Sequence, residues 1–427
     1  MCRKAKAVAT YCFDGEGAPA LARHKSAFRR RFNGRWLRWK AWRGLFRVVP
    51  LAKYFSFPMK SATATDTAIE TFESVRLLES GNFTSAQMDT VVLPALASDK
   101  IKVKSASPGC THVRRESAIL ADCAILGHVG ALIRGSDGAL LYQRVGRVPN
   151  WNVTKPKRLR SRDMGDSLVT SLPFGVQYYH FFEKLLTLID YLDRHHTPGT
   201  PLTVLVAAKT PAFQQSVFKA IESAFPEVTF AALLPDERAE IGRYVWLHEA
   251  PENAEWMPVT IARAARLGAI MRSAYSQREP TGGELMFFSR GSVKLRRLLN
   301  EAELEAMAAR HGFQRFEAVS ANHPEQVQRF GNADVIVAVH GAGLANLLFA
   351  RPGTIVVELF PEDFVKSTYL WLSNRLGLRH IPVVGSRGSY DQDFRVDPAV
   401  FSARLDEAMA LTARPLSSPL SPMQVSL

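Results

Sequence analysis

The stretch "VIVAVHGAGLANLLFARPGTIVVELFP", Val335 to Pro361, decides how this chain is read. Val335 to Val339 is an unbroken run of β-branched and small apolar residues, the pattern of a strand covered on both faces in a parallel sheet. His340-Gly341-Ala342-Gly343 lets the backbone turn. Leu344 to Ala350 has helical spacing, and Arg351-Pro352-Gly353 stops it. A second buried strand is expected over Thr354 to Leu359, with Glu358 near its end. Ligands of open parallel sheets bind beyond the carboxyl ends of the strands, where free N–H groups and a helix start favour an anion. The unit therefore reads as a phosphate cradle of Gly341, Ala342 and Gly343, with His340 and Asn346 as polar partners. The alternative is that the glycines serve only close packing of strand against helix.

Working outward, 427 residues with 47% hydrophobic content suffice for two cores of ordinary size. Cys2, Cys12, Cys110 and Cys123 show no paired metal-ligand spacing and read as reduced thiols rather than a disulfide framework. The net charge of +14 is localised: between Gly17 and Thr65 lie twelve Lys or Arg residues and no Asp or Glu. In the same segment Phe28, Phe32, Trp36, Trp39, Trp42 and Phe46 recur at intervals of three or four. That pattern predicts a cationic interfacial helix over 23–47 suited to an anionic membrane surface, the alternative being an unstructured basic tail. No apolar run reaches bilayer-spanning length and no signal-peptide core is present, so the expected address is the cytoplasm, with the inner membrane surface as the peripheral site.

The rest of the chain reads as α/β. A hairpin is expected from His128–Arg134 and Ala139–Arg144 around Ser136-Asp137-Gly138. An amphipathic helix follows over Val176–His195, with Phe181, Phe182, Leu185, Ile189 and Leu192 on one face. Next come a strand at Leu202–Ala208, a helix at Pro211–Phe225, a strand near Tyr244–His248 and a helix at Val259–Tyr275. A polar, turn-rich stretch at 277–283 marks the expected boundary. Beyond it, strands at Leu285–Ser289, Arg315–Ser320, Val335–Val339, Thr354–Leu359 and Arg379–Val384 alternate with helices, the signature of a Rossmann-like sheet. The expected organisation is a basic extension over 1–70, an acceptor-side α/β domain over 71–276, a nucleotide-binding domain over 277–386, a helix within 387–413 and a tail over 414–427.

Two further clusters carry chemistry. In "FFSRGSVKLRRLLNEAEL", Phe287 to Leu304, the cations Arg290, Lys294, Arg296 and Arg297 follow a strand's carboxyl end, on the edge shared with His340, with Asn300 as an N-cap behind them. In "VQYYHFFEKLL", Val176 to Leu186, His180 and Glu183 lie one turn apart, so His180 is either a general base at a cleft or a satisfied core histidine. The single D-x-D, Asp391-Gln392-Asp393, follows a Gly/Ser-rich loop and reads as surface and helix-entry chemistry rather than a metal site. HGAG is not G-x-G-x-x-G, which argues against a dinucleotide dehydrogenase. Asn82-Phe83-Thr84 and Asn152-Val153-Thr154 match glycosylation acceptors by chance in this context.

Taken in order, these stretches resemble glycosyltransferase family 61. The resemblance rests on Tyr178-Tyr179-His180-Phe181, on Ser289-Arg290 with Arg296 and Arg297, and on Asn300-Glu301 with Glu303-Leu304. It extends through Ala333-Asp334 to Asn346 and Pro352-Gly353 to Glu358, within a span from about Val176 to Val384. Val176 departs from the Asn or Gly often found there, and a proline the family often carries near Leu185–Ile189 is missing. The resemblance implies a GT-B-like α/β enzyme, two Rossmann-like domains facing a cleft, that inverts the anomeric centre. Its bacterial members are linked to capsule or surface polysaccharide.

Carried onto this chain, the resemblance implies a nucleotide-sugar donor on the amides of Gly341, Ala342 and Gly343, with Arg290, Lys294 or Arg297 neutralising the diphosphate. Glu358 would bind the ribose, His340 would bridge to phosphate or sugar, and His180 would be the base that activates the acceptor, with Asp334 a poorer candidate. Arginines can replace a divalent cation on a diphosphate, so no cofactor and no metal are expected. The expected partners are a nucleotide-sugar and a glycan acceptor, with no specific nucleic acid. Rival functions are a catalytically inactive scaffold of a polysaccharide assembly complex and a basic nucleic-acid-binding protein.

Overall fold

A parallel sheet needs both faces covered before its strands can be continuously apolar, and the arrangement of helices answers that need on each side of Val335–Val339. The computed structural model describes residues 61–62, 72–83, 111–128, 130–135, 140–141, 159–172, 174, 178–251, 259–291, 293–317, 323–366 and 368–412. The basic aromatic stretch at 23–47, the turn at 136–138, Val176, both glycosylation-like threonines and the tail at 414–427 lie outside them. The described residues belong to one unit, Met59–Val153 with Arg158–Leu427.

In chain order the first half begins with β1 (Ser61–Ala62), β2 (Phe72–Phe83), β3 (Thr111–Leu120), β4 (Cys123–Leu126), β5 (Ala131–Arg134) and β6 (Leu140–Leu141). It continues through β7 (Arg160–Asp163), β8 (Leu168–Ser171), α1 (Tyr178–Arg194), β9 (Leu202–Ala207), α2 (Ala212–Ala224), β10 (Val228–Leu233), β11 (Glu237–Ile241), β12 (Arg243–Pro251) and α3 (Ile261–Ala274). Two six-stranded sheets result, ordered β1-β6-β5-β4-β11-β7 and β10-β9-β8-β12-β3-β2. The expected hairpin forms between β5 and β6, with Ile133 opposite Leu140. The first half is more strand-rich than the sequence patterns suggest: β7, β8, β10 and β11 were not foreseen. Arg160-Ser161-Arg162-Asp163 is a charged edge strand with no apolar alternation, held by pairing with β11 rather than by its own burial.

The second half runs β13 (Glu284–Ser289), α4 (Glu301–Ala309), β14 (Gln314–Glu317), α5 (His323–Asn332), β15 (Ala333–Val339), a 3-10 helix (Ala342–Phe349), β16 (Ile355–Phe360), α6 (Thr368–Arg375), β17 (Arg379–Val384) and α7 (Pro398–Thr412). Its strands form a sheet in the order β14-β13-β15-β16-β17, parallel throughout. The 3-10 helix replaces the α-helix expected over Leu344–Ala350, and eight residues wind there without i to i+4 bonding. Asn300 is the N-cap residue of α4, as expected, but its side chain makes no cap hydrogen bond to the helix backbone. Instead Asn300 Nδ2 donates to Glu303 Oε2 and Val396 O and its Oδ1 accepts from Val396 N, pinning α4 to the start of α7.

Alternation along β15 splits its side chains between two cores. Val335, Val337 and Val339 pack with Leu304, Phe401 and Leu405 of α4 and α7. Ile336 and Ala338 pack with Phe182, Leu185, Val217, Leu267, Phe330 and Phe349. This second core joins both halves, since it draws on α1, α2 and α3 as well as α5 and the 3-10 helix. A buried ion pair between Asp190 and Arg263 ties α1 to α3. Among the described residues no helix is long and apolar enough to cross a membrane.

His323 sits in that shared core, stacked on Phe182 at 5.7 Å and bonded through Nδ1 to the Tyr275 hydroxyl at 2.7 Å. Burial pushes its imidazole down from 6.5 to about 4. The folded state therefore takes up this proton less readily than the unfolded one. Stability from this group is complete above pH 6.5 and is lost as pH falls toward 4, by up to about 3 kcal/mol. Urea titrations across that window should show the loss in the native chain and a flatter profile in His323→Phe.

Candidate active site

The chain order of the second sheet locates its binding edge. From β13 the chain moves outward to β14, then returns to β15 and proceeds the other way to β16 and β17. The direction of travel reverses between β13 and β15, and ligands of open parallel sheets bind beyond the carboxyl ends of such a pair, where the diverging connections leave a crevice. Ser289-Arg290 ends β13 and His340-Gly341 follows β15. A cavity of about 410 Å³ opens there, within the range of small-molecule sites. Arg290, Gly341, Ala342 and Gly343 line one side. Tyr178 at the start of α1 and Pro211–Phe213 at the start of α2 line the other. Phe213, Phe288 and Val339 make the wall largely apolar, so polar groups there act in a poorly screened medium.

The glycines are required by close approach rather than by a left-handed turn. Gly341 has φ 172°, extended backbone that any residue adopts. A Cβ at Gly341 would lie 3.1 Å from the guanidinium carbon of Arg290, and one at Gly343 would lie 2.8 Å from the Phe288 ring. Arg290 Nη1 donates to His340 O at 3.1 Å, which fixes the guanidinium against the turn. Burial, and then the nearby charge of Arg296, lowers the Arg290 guanidinium to about 10.

His340 is buried and donates from Nδ1 to Glu358 Oε1 at 2.6 Å. His380 Nε2 reaches the other carboxylate oxygen at 2.7 Å. Glu358 is fully buried, so the ribose role implied for it does not fit: both oxygens are spent on histidines and neither meets the cavity. Burial raises the Glu358 carboxyl, but the two histidine hydrogen bonds and their charge bring it below its ordinary 4.5. The hydrogen bond to the carboxylate places a proton on His340 Nδ1 and orients the ring, which does not line the cavity. The ring is held by Phe360 at 5.3 Å, Phe364 at 5.7 Å and Tyr369 at 5.4 Å.

Asn346, another expected donor contact, has no exposed surface. It accepts from the Tyr178 hydroxyl at 2.5 Å and donates to Gln326 Oε1 at 2.9 Å. Asn346 thus latches α1 to α5 and the 3-10 helix behind the cavity, and Tyr178 and Gln326 are the members of that network that face it. His180 lies on another side of α1, two residues and roughly 200° from Tyr178. Its side chain is 44% exposed and bonded through Nδ1 to Glu183 at 3.0 Å, and it does not line the cavity.

The cations also sort themselves. Arg297 is committed to Asp393, which accepts from its Nη2 at 2.6 Å, its Nε at 2.9 Å and its backbone N at 2.8 Å. These hydrogen bonds hold the Asp393 carboxyl below the usual range. The D-x-D is therefore structural at Asp393, which is buried, not a surface feature throughout. Lys294 is exposed and does not line the cavity, although its neighbour Val293 does. Asp334, the weaker base candidate, binds Arg351 and the amide of Gly283 on the opposite end of β15. Arg290 remains, a poorly solvated cation on a glycine turn at the switch point.

Residues 148–357 match the family model Glycosyltransferase 61. The match takes in α1, Arg290 and the glycine turn and ends one residue before Glu358. Two protein O-linked-mannose beta-1,4-N-acetylglucosaminyltransferases 2 share local similarity with this chain. That of Tetraodon nigroviridis is 44% identical over 82 residues, 18% of this chain. That of Takifugu rubripes is 38% identical over 86 residues, 19% of this chain. Each match spans 14% of the relative's length. Both findings support a glycosyltransferase of family 61.

Within the family 61 segment, sequence patterns identified Arg290, His340 and the glycine turn, all of which the fold brings to one edge. They missed Tyr178 and Gln326 as cavity residues. Tyr178 was in view in the YYHF motif, but the more titratable His180 drew the assignment. A methyl group tests the packing. The Phe288 ring is buried and meets Phe330 edge-on at 5.1 Å, so Gly343→Ala should cost about 1–3 kcal/mol in thermal or urea unfolding. Gly341→Ala meets only the end of the Arg290 side chain and should cost less stability while displacing that guanidinium.

Proposed function

We propose that this chain is an inverting glycosyltransferase that moves a sugar from a nucleotide-sugar to a hydroxyl of a glycan or other acceptor. The observation that carries this is Arg290, a poorly solvated cation without a carboxylate ion-pair partner among the described residues, held against a glycine turn where the sheet order reverses and beside a cavity of about 410 Å³. The overall arrangement is GT-B-like, which is supported by the cavity's walls: one comes from connections following β8 and β9, the other from connections following β13 and β15. The family match and the resemblance in the motifs supply the reaction class.

In this reading the acceptor oxygen forms a bond to the anomeric carbon as the bond from that carbon to the diphosphate oxygen breaks. The electron pair leaves on the diphosphate, and the acceptor proton passes to a base. Arg290 and the turn amides stabilise the charge that develops on the leaving group, an effect strongest in a poorly solvated site. His340, held on Glu358 and not itself among the residues that line the cavity, positions the carbonyl that fixes Arg290. The relatives' names make N-acetylglucosamine the first sugar to test. Synthesis of a surface polysaccharide rests on the motif resemblance alone and ranks behind it. The diphosphate charge is met by arginine, so the reaction is expected to run without a divalent cation.

Thermal unfolding with UDP, GDP, CMP and their sugars should show stabilisation by one nucleotide class, lost in Arg290→Ala and in His340→Ala and unaffected by EDTA. Absence of a shift with every nucleotide, in folded protein, would sink the donor-site assignment and favour the inactive scaffold.

A further inference from the structure

We infer that Arg296 is the second cation on the donor's diphosphate, paired with Arg290, in the place sequence reasoning gave to Lys294 or Arg297. The inference rests on the donor-site reading above and assigns a residue that reading does not use.

Four cations follow β13, and their surroundings separate them. Arg297 is saturated by Asp393, and Lys294 is exposed. Arg315, from the neighbouring β14, is shared between Glu305 and Glu317. Arg296 alone of the Lys294–Arg297 group is partly buried without a carboxylate within ion-pair distance among the described residues. Its Nε is buried and carries no hydrogen bond there. Burying a guanidinium N–H unpaired is costly, and such a group is expected to find its partner in a ligand.

The side chain is also positioned. Its guanidinium lies over the Phe364 ring, 5.0 Å from the centroid, and the same ring meets His340 at 5.7 Å. Arg290 meets the same residue through the hydrogen bond to its backbone carbonyl. The two guanidiniums are near enough for the charge of Arg296 to depress that of Arg290, and both act on the Tyr369 hydroxyl. Two uncompensated like charges repel in a poorly solvated pocket, and a doubly charged anion between them removes the repulsion.

The backbone points the same way. Arg296 has φ 58°, in the left-handed region that β-carbons disfavour. It is held there because its N–H donates to Asp391 O at 2.8 Å while Arg297 O accepts from Phe394 N at 3.0 Å. Consecutive side chains are thereby sent in different directions, Arg297 to Asp393 and Arg296 to Phe364. A non-glycine residue kept in this conformation beside the ring that contacts His340 fits a binding role.

That conformation supplies a clean test. Glycine adopts φ 58° without strain, so Arg296→Gly should leave the melting temperature of the unliganded protein unchanged or raised. Binding of UDP and GDP, each compared with its monophosphate, is measured by titration calorimetry on the full chain. Arg296→Gly should weaken the diphosphate that binds by at least about tenfold, the loss expected for one charge-assisted contact, and change its monophosphate by less than about threefold. Arg296→Lys should recover part of the loss, while Arg297→Gln should lower the melting temperature and leave affinity near the native value. Native diphosphate affinity in Arg296→Gly, with binding lost in Arg290→Ala, would overturn the role of Arg296 and keep the donor site. A native chain that binds neither diphosphate would overturn both.

Discussion

Two guanidinium groups held partly out of water, neither in an ion pair with a carboxylate among the described residues, sit at the carboxyl edge of the second sheet. A carboxylate beside Arg290 or Arg296 would relieve the repulsion and abolish the site. The fold instead supplies partners that do not cancel the charge: a backbone carbonyl for Arg290 and an aromatic face for Arg296. Of the acidic residues nearby, Asp393 is engaged by Arg297 and Glu358 by two histidines, while the charge of Glu301 acts on Arg290 without forming an ion pair with it among the described residues. On the proposed reading, that charge serves an anion that arrives from solution.

Holding the arginines in place requires rigid surroundings. The parallel sheet brings Ser289 and Val339 to one edge, because β13 and β15 are hydrogen-bonded neighbours with Phe288 opposite Ala338. Glycine at 341 admits the Arg290 side chain, and glycine at 343 admits the Phe288 ring. A 3-10 turn then carries Asn346 inward to the latch with Tyr178 and Gln326. That latch and the shared aromatic core fix α1 of the first half against the second, so the two walls of the cavity are set by the same packing that stabilises the molecule.

The histidine–carboxylate–histidine group shows how a buried charge is tolerated. Glu358 accepts one hydrogen bond on each oxygen and draws its stabilisation from the imidazoles. In return it orients His340 at the end of β15, and Phe360, Phe364 and Tyr369 enclose the ring. Tyr369, on α6 and beyond the segment that matches family 61, packs against the His340 ring.

By itself the sequence determined the second sheet, because fully buried parallel strands leave unbroken apolar runs and the glycine turn marks the end of one. It also determined the amphipathic face of α1, where Phe181, Phe182, Leu185, Ile189 and Leu192 are all buried, and the convergence of Arg290, His340 and the glycine turn, since residues following adjacent parallel strands share an edge. Only tertiary structure decided the remainder. Strand β7 owes its existence to pairing rather than composition. The consecutive arginines 296 and 297 have different neighbours, Phe364 and Asp393, because a left-handed residue turns the chain between them. Glu358 became an orienting group rather than a ribose ligand when His380, 22 residues away in sequence, arrived on the adjacent strand. Such assignments depend on which side chains share a low-dielectric interior, and local spacing does not encode that.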